Sequence, residues 1–112
     1  MVKNLKLVVI RRFSAAHHLL NYDGNCANVH GHTWELEVYL DIANTKELEF
    51  DFRDVKKEID RNLPDHKDLN KVYPFNPTCE NIAQQLYLDL EELLPVEKVV
   101  LWESADTGIE YP

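Results

Sequence analysis

One segment constrains the fold more than any other, the alternation of apolar and polar residues over positions 33–42. The apolar set lies on every second residue: Trp34, Leu36, Val38, Leu40 and Ile42. Glu35, Glu37 and Asp41 occupy positions between them. A period of two predicts a β-strand that buries one face and leaves the other in water. This alternation favours an antiparallel sheet that is covered on one side only.

Three more strands and two helices complete the predicted order. Further strands are predicted over residues 5–13, 96–102 and 109–111. A first helix is predicted over residues 52–63, stopped by Pro64, and a second follows Pro77, with Thr78 as N-cap, and ends at Pro95. The order strand, strand, helix, helix, strand, strand predicts an α+β fold with both helices on one face of the sheet. With 112 residues and no linker, residues 1–112 are expected to form one domain.

Charge and hydropathy exclude several classes of protein. The formal net charge is -8 and no basic run is present, which argues against nucleic-acid binding. The longest apolar candidate, residues 5–10, is far shorter than the roughly 18 residues of a membrane span and contains Lys6. Residues 1–6 have no apolar signal core, so we expect a cytoplasmic protein. In that compartment Cys26 and Cys79 are expected to be free thiols. We expect Cys79 to have a structural role.

The histidines are clustered in the first third of the chain. His30 and His32 are two residues apart before the clearest strand, so their side chains are expected on one face, about 7 Å apart along the backbone. If the first strand pairs antiparallel beside it, His17 supplies a third imidazole, preferred over His18 because it shares the parity of Phe13. Three histidines with an open position are typical of catalytic zinc. Alternatively, these histidines cap strand ends and bond to backbone carbonyls.

Cys26 stands four residues before His30, close enough to face the same cavity. A nearby divalent cation would favour its thiolate, which could then abstract a proton. The spacing leaves two other roles open, a small buried apolar residue or a fourth ligand that closes the metal site.

Two further groups have side chains suited to acid–base chemistry or to ligand binding. Asp65 and His66 are adjacent in a polar loop, where a carboxylate can fix the tautomer of an imidazole that acts as general acid or base. Glu103 directly follows the apolar residues 99–102, so its carboxylate is predicted at the mouth of a pocket, where it can accept two hydrogen bonds from an amidine-like ligand edge. A solvated loop and a surface glutamate are the alternatives.

An ordered set of motifs resembles the family of 6-pyruvoyltetrahydropterin and 6-carboxytetrahydropterin synthases. The set comprises Phe13-Ser14-Ala15-Ala16-His17, Cys26-x3-His30-Gly31-His32, Asp51-Phe52, Asp65-His66, Asn76-Pro77-Thr78-Cys79-Glu80-Asn81 and Trp102-Glu103. Single pieces such as His-Gly-His are common, but the set in this order spans nearly the whole chain.

The resemblance implies the tunnelling fold (T-fold), a four-stranded antiparallel sheet with two helices between its second and third strands. It also implies that three subunits close their sheets into a β-barrel and that two trimers stack into a homohexamer, with active sites at subunit interfaces. The implied roles are zinc binding by His17, His30 and His32, proton abstraction by Cys26, and proton relay by Asp65 and His66. Glu103 would anchor a pterin, with Thr78 and Glu80 at positions that help to bind its ring.

The spacing Cys-x3-His-Gly-His is similar to that of the 6-carboxytetrahydropterin synthases of queuosine biosynthesis. That resemblance implies conversion of 7,8-dihydroneopterin triphosphate to 6-carboxy-5,6,7,8-tetrahydropterin, acetaldehyde and triphosphate. A 6-pyruvoyltetrahydropterin synthase and a noncatalytic zinc-binding or pterin-binding module remain alternatives. Cys79 departs from the Ser or Thr usual in the family, which puts side contacts in doubt rather than the anchor Glu103.

Overall fold

The computed structural model describes residues 4–112, and its centre is a long antiparallel hairpin. Strand β1 is Lys6–His17 and strand β2 is His30–Asp41. Their register pairs Phe13 with Trp34, Ala15 with His32 and His17 with His30. Residues that face each other in this register lie on the same side of the sheet. The hairpin therefore brings three histidines to one side of the sheet, at the end where residues 18–29 connect the two strands.

The helices cover the side of the sheet that carries the predicted apolar residues. Helix α1 is Phe52–Asn62 and helix α3 is Cys79–Glu91, with a short helix α2 at Leu69–Val72 between them. The alternation in β2 is confirmed, since Trp34, Leu36, Val38 and Leu40 are fully buried. They pack with α1 through Val55 and Ile59 and with α3 through Ile82, Ala83, Leu86 and Leu90.

The start of α3 and the end of α1 follow the predicted signals, whereas α3 ends at Glu91 and does not reach Pro95 as predicted. The Thr78 side chain accepts a hydrogen bond from the backbone NH of Asn81, which confirms Thr78 as the N-cap of α3. Asp51 caps α1 by accepting from the NH of Arg53. Helix α1 ends at Asn62, before Leu63 and Pro64, because a proline restricts the residue before it to extended backbone.

The sheet has one more strand than predicted. Strands β4 at Val96–Trp102 and β5 at Gly108–Tyr111 follow α3, and β3 at Lys67–Asp68 precedes α2. The order is β3-β1-β2-β4-β5, and all pairs are antiparallel except β3 with β1. The expectation of four antiparallel strands is therefore wrong in one detail. A two-residue strand has no periodicity to read, and it forms because the outer edge of β1 offers unpaired backbone groups at Ala15 and Ala16.

The first strand is longer than predicted and reaches His17 rather than ending at Phe13. Within residues 4–112, no helix has the length and apolar character that crossing a bilayer requires. The prediction about a signal sequence concerns residues 1–6, the first three of which lie outside the described residues.

Candidate metal centre and substrate pocket

His17, His30 and His32 form a compact cluster at the connected end of the hairpin, where β1 ends and β2 begins. One ligating atom from each imidazole lies within 4.8 Å of the other two. His17 is buried to 1% exposure, whereas His30 and His32 are partly buried. Among residues 4–112, this is the single group of three or more such side chains close enough to hold one ion. The predicted preference for His17 over His18 agrees with this geometry.

Hydrogen bonds fix the orientation of two of these rings. The Nδ1 of His17 lies 2.8 Å from the carbonyl oxygen of Pro77, and the Nδ1 of His30 lies 2.7 Å from that of Asn28. A carbonyl only accepts, so each Nδ1 is the protonated donor and each Nε2 has a free lone pair. Metal-binding histidines commonly have such a partner on the second nitrogen.

The Nε2 atoms of all three rings are buried and have no hydrogen-bond partner among the described residues. Buried polar atoms without partners are rare, since leaving one unpaired costs free energy. Three of them that converge on one point are explained by a shared cation. The residues present therefore fit a divalent metal, and the alternative of strand-capping histidines accounts for Nδ1 but not for Nε2.

Glu103 stands beside this cluster, immediately after β4. Its Oε1 is 3.6 Å from Nε2 of His32, and its Oε2 is 4.0 Å from Nε2 of His17. Burial lowers the pKa of His32, while the Glu103 carboxylate opposes that shift and the other two histidines add to it. The lowered pKa favours the neutral imidazole, which is the form that binds metal.

A small pocket of about 170 Å³ lies next to the cluster. Glu103 lines this pocket, which agrees with its predicted position at a pocket mouth. Its lining is Cys79, Glu80, Glu103, Thr107, Gly108 and Ile109. Two carboxylates, of Glu80 and Glu103, thus line one cavity, and the start of β5 forms part of its wall. Thr78 is not among the lining residues, and its hydroxyl oxygen is used in the N-cap of α3.

Cys26 lies in a single 3₁₀ turn, Asn25–Ala27, on the connection between β1 and β2. Its side chain is partly buried. The cluster of metal-ligating atoms contains no cysteine within residues 4–112, so the arrangement does not favour the closed site of three histidines and one cysteine. The remaining roles, base or small packing residue, stay predictions.

Asp65 and His66 pair with each other and attach to the outer edge of β1. The Oδ2 of Asp65 is 3.0 Å from Nδ1 of His66, and its Oδ1 accepts from the NH of Ser14 at 2.9 Å. His66 also donates its backbone NH to the Ser14 carbonyl, and its φ of 58° is left-handed. In the described part of the chain, neither residue bonds to the three histidines, but His66 and His32 border one open cleft of about 610 Å³.

Sequence reasoning missed the groups that orient the imidazoles. Pro77 and Asn28 act through backbone carbonyls, which every residue possesses, so no side-chain pattern points to them. It also missed residues 107–109 as a wall of the pocket, since β5 is placed there by pairing with β4.

Comparisons with known proteins agree with this site. A family model described as 6-pyruvoyl tetrahydropterin synthase matches residues 6–112. The chain is 36% identical over 88 residues to a dihydroneopterin monophosphate aldolase of Pyrococcus furiosus, an alignment that covers 73% of this chain and 76% of the relative. It is 32% identical over 121 residues to a 6-carboxy-5,6,7,8-tetrahydropterin synthase of Aquifex aeolicus, covering 77% and 75%.

The fold is similar to that of solved structures of 6-pyruvoyl tetrahydropterin synthases. The 6-pyruvoyl tetrahydropterin synthase of Caenorhabditis elegans superposes with a TM-score of 0.81 at 26% identity, covering 96% of this chain and 94% of that one. With a match over nearly the whole chain, a T-fold architecture and a histidine triad consistent with metal binding, the chain belongs to the 6-pyruvoyl tetrahydropterin synthase family of pterin enzymes.

Proposed function

We propose that this chain is a zinc-dependent 6-carboxy-5,6,7,8-tetrahydropterin synthase that acts in the cytoplasm as a single-domain subunit of a homohexamer. It would convert 7,8-dihydroneopterin triphosphate, with water, to 6-carboxytetrahydropterin, acetaldehyde and triphosphate, and so act in queuosine biosynthesis. The observation that carries the proposal is the convergence of three unpaired Nε2 atoms, from His17, His30 and His32, beside the carboxylate of Glu103.

The metal would be held by the three histidines. Zinc bound there would supply a Lewis acid that stabilises negative charge developing on the hydroxylated side chain of the substrate. Hydrogen bonds to the carbonyls of Pro77 and Asn28 already orient two of the imidazoles. Metal binding would therefore require little further ordering of these two side chains.

Glu103 would orient the pterin. The pocket beside it is small, about 170 Å³, and is lined by Cys79, Gly108 and Ile109, which suits the edge of a ring. A carboxylate that accepts from the ring NH and the 2-amino group makes two parallel hydrogen bonds. Such anchoring places the substrate side chain toward the histidines and raises its effective concentration there. Glu80 lines the same pocket and would add a second polar contact to the pterin. Thr78 would contribute indirectly, because it caps the helix that contains Glu80.

Cys26 would abstract the proton from the side-chain carbon, and His66 would move protons with Asp65 as its partner. The 3.0 Å contact between Asp65 and Nδ1 of His66 assigns the proton-carrying nitrogen and leaves Nε2 for the substrate. His66 is on the rim of the cleft that also contains His32 and Lys67. The ammonium of Lys67 gives this rim a cation for a phosphate group, in a chain whose net charge is -8.

A second candidate is a dihydroneopterin monophosphate aldolase, and the 36% identity to the Pyrococcus furiosus enzyme favours it. An aldolase cleaves a carbon–carbon bond of the side chain, and the same groups serve that reaction, since a bound metal and a base both assist loss of a hydroxyl proton. Both reactions break a carbon–carbon bond of the side chain, since 6-carboxytetrahydropterin keeps one of its carbons and acetaldehyde takes the other two. The candidates therefore differ in the release of triphosphate, which belongs to the synthase reaction, and in the number of phosphates on the substrate.

A product assay separates the candidates. Purified zinc-loaded protein is incubated with 7,8-dihydroneopterin triphosphate and, separately, with the monophosphate. We expect acetaldehyde and 6-carboxytetrahydropterin from the triphosphate. A pyruvoyl product indicates the pyruvoyl synthase, cleavage of the monophosphate alone indicates the aldolase, and full zinc with no turnover indicates a noncatalytic module.

Cys26→Ala tests the assigned base. The variant is expected to retain one zinc per chain, measured by elemental analysis, and to lose turnover by about 10²-fold or more, the range for removal of a general base. His30→Ala is the matched comparison, expected to lose metal because it removes one of three ligands. Equal loss of zinc in both variants would make Cys26 a ligand and contradict the assignment.

A further inference from the structure

Among residues 4–112, no strand pairs with the segment that follows β1, and two asparagine side chains bond its backbone instead. The Oδ1 of Asn70 accepts from the NH of His18 at 2.8 Å, and its Nδ2 donates to the His18 carbonyl at 3.0 Å. The Oδ1 of Asn76 accepts from the NH of Leu20 at 2.9 Å, and its Nδ2 donates to the Leu20 carbonyl at 3.2 Å. An amide side chain carries a donor and an acceptor side by side, so each asparagine replaces one residue of a β-ladder.

Cys26 is attached to the residue between these two. The NH of Leu19 donates to the carbonyl of Cys26 at 2.8 Å. Leu19 lies between His18 and Leu20, whose backbone groups the asparagines hold on both sides. We call the paired hydrogen bonds from the Asn70 side chain and from the Asn76 side chain the two amide clamps. The position of the Cys26 backbone therefore depends on both clamps.

The same segments also hold the ligand His17. Its Nδ1 donates to the carbonyl of Pro77, the residue directly after Asn76. His17 and the thiol-bearing turn are thus tied to residues 70–77 from two sides.

The asparagines are themselves anchored to regular structure. The NH of Asn70 donates to the Asp68 side chain at 3.1 Å, and Asp68 belongs to β3, where it pairs with Ala16. The carbonyl of Asn76 accepts from Nδ2 of Asn81 in α3 at 3.0 Å. Asn70 is thus attached to the sheet and Asn76 to α3. The position of the connection after β1 therefore depends on the position of those two elements.

We propose that Asn70 and Asn76 are positioning residues that hold Cys26 in place relative to His17. The catalytic consequence rests on the proposed function, in which Cys26 is the base, whereas the effect on the backbone does not. A displacement of about 1 Å between reacting groups lowers rates by as much as 10²-fold, so loss of either clamp is expected to reduce turnover without removing a ligand.

The test compares Asn70→Ala and Asn76→Ala with Asn62→Ala. Asn62 is a matched control, since its Nδ2 also donates to a backbone carbonyl, that of Glu58 at the end of α1. Amide hydrogen exchange at Leu19 is measured by NMR in the metal-free protein, and zinc content, kcat and KM in the zinc-loaded protein.

Leu19 is expected to exchange at least about tenfold faster in the two clamp variants than in Asn62→Ala, because its partner Cys26 is no longer held. Zinc is expected to stay at one per chain, with kcat reduced about 10- to 100-fold and KM changed less than about twofold. Asn70→Asp and Asn76→Asp keep an accepting oxygen, lose the donor and add a negative charge, so they are compared with Asn62→Asp if an alanine variant fails to fold.

Unchanged Leu19 exchange in the clamp variants would overturn the proposal, whatever happens to kcat. A kcat no lower than that of Asn62→Ala, in variants whose Leu19 exchange is faster, would also overturn the catalytic part. If the parent protein has no turnover on either pterin phosphate, the proposed function fails instead, and the exchange rates still decide whether the asparagines hold Cys26.

Discussion

At the scale of single residues, the surroundings of two side chains decide which of them ionises. Asp65 is exposed, yet the NH of Ser14 and the neighbouring His66 hold the pKa of its carboxyl below the usual value. Cys79 is half-buried, and burial, with the carboxylates of Glu103 and Glu80, raises the pKa of its thiol to about 12. Asp65 is therefore charged and Cys79 neutral at pH 7, which supports the structural role predicted for Cys79.

We predict that Asp65 makes stability depend on pH in the acid range. Since its pKa is lowered in the folded state, its contribution is present above the ordinary value of 3.8 and is lost as the pH falls through the folded value. Asp65→Asn should therefore lower the free energy of unfolding near pH 6 but have a diminishing effect below pH 3.8, measured by urea unfolding of the metal-free protein.

Glu47→Gln is the control for that measurement, because it removes an exposed carboxylate from the loop between β2 and α1. An Asp65→Asn effect that is constant across the pH range would contradict the prediction.

At the scale of elements, β5 forms one wall of the pocket that contains Glu103 and requires a glycine where it begins. Gly108 pairs with Trp102 at the end of β4. A Cβ at Gly108 would lie 2.6 Å from the carbonyl oxygen of Leu101 and 2.9 Å from the Trp102 ring. The close approach of backbone to backbone, rather than a turn conformation, explains glycine here.

Gly108→Ala is expected to destabilise the protein by about 1–3 kcal/mol, the range for overpacking, because the Leu101 carbonyl cannot move without breaking the β4–β5 pairing. Chemical denaturation measures the change. Gly31→Ala serves as the control, since a Cβ there would meet nothing within 4 Å, and it should be neutral or slightly stabilising. Equal effects of the two substitutions would argue against the steric explanation.

At the scale of the whole molecule, the described chain leaves strand edges and one sheet face uncovered. Strand β3 covers the outer edge of β1 at Ala15 and Ala16, and residues 65–66 bond to Ser14 beside it. Within residues 4–112, no strand pairs with residues 6–13 of that edge. Val8 and Ile10 are 47% and 46% exposed on the face away from the helices. Long open edges favour pairing with another chain, and closure into a barrel removes them.

The predicted homohexamer has a consequence that a mixing experiment can measure. If a neighbouring subunit supplies His66 to the site that contains Cys26, inactive Cys26→Ala and His66→Ala subunits, unfolded and refolded together, should recover about one quarter of the parental activity. Sedimentation should show one hexameric species. No recovery from mixed hexamers would place Cys26 and His66 in the same subunit, and a monomer would contradict the shared site.

Much of the fold and part of the site could be predicted because their signals are local. Alternation along β2, the spacing of apolar residues in α1 and the cap at Thr78 each express a repeat or a contact between near neighbours. The His17, His30 and His32 cluster was also predictable, because strand parity and one antiparallel pairing suffice to place it.

By itself, the sequence determined which three histidines meet beside one another and which face of the central strand is buried, since both depend on residue type and on a period of two. Only the tertiary structure decided that β3 joins the sheet, that Pro77 and Asn28 orient the imidazoles, and that Asn70 and Asn76 hold the segment leading to Cys26. These contacts join residues by backbone groups or across long stretches of chain. Any sequence possesses those backbone groups, so only the folded chain shows which of them meet.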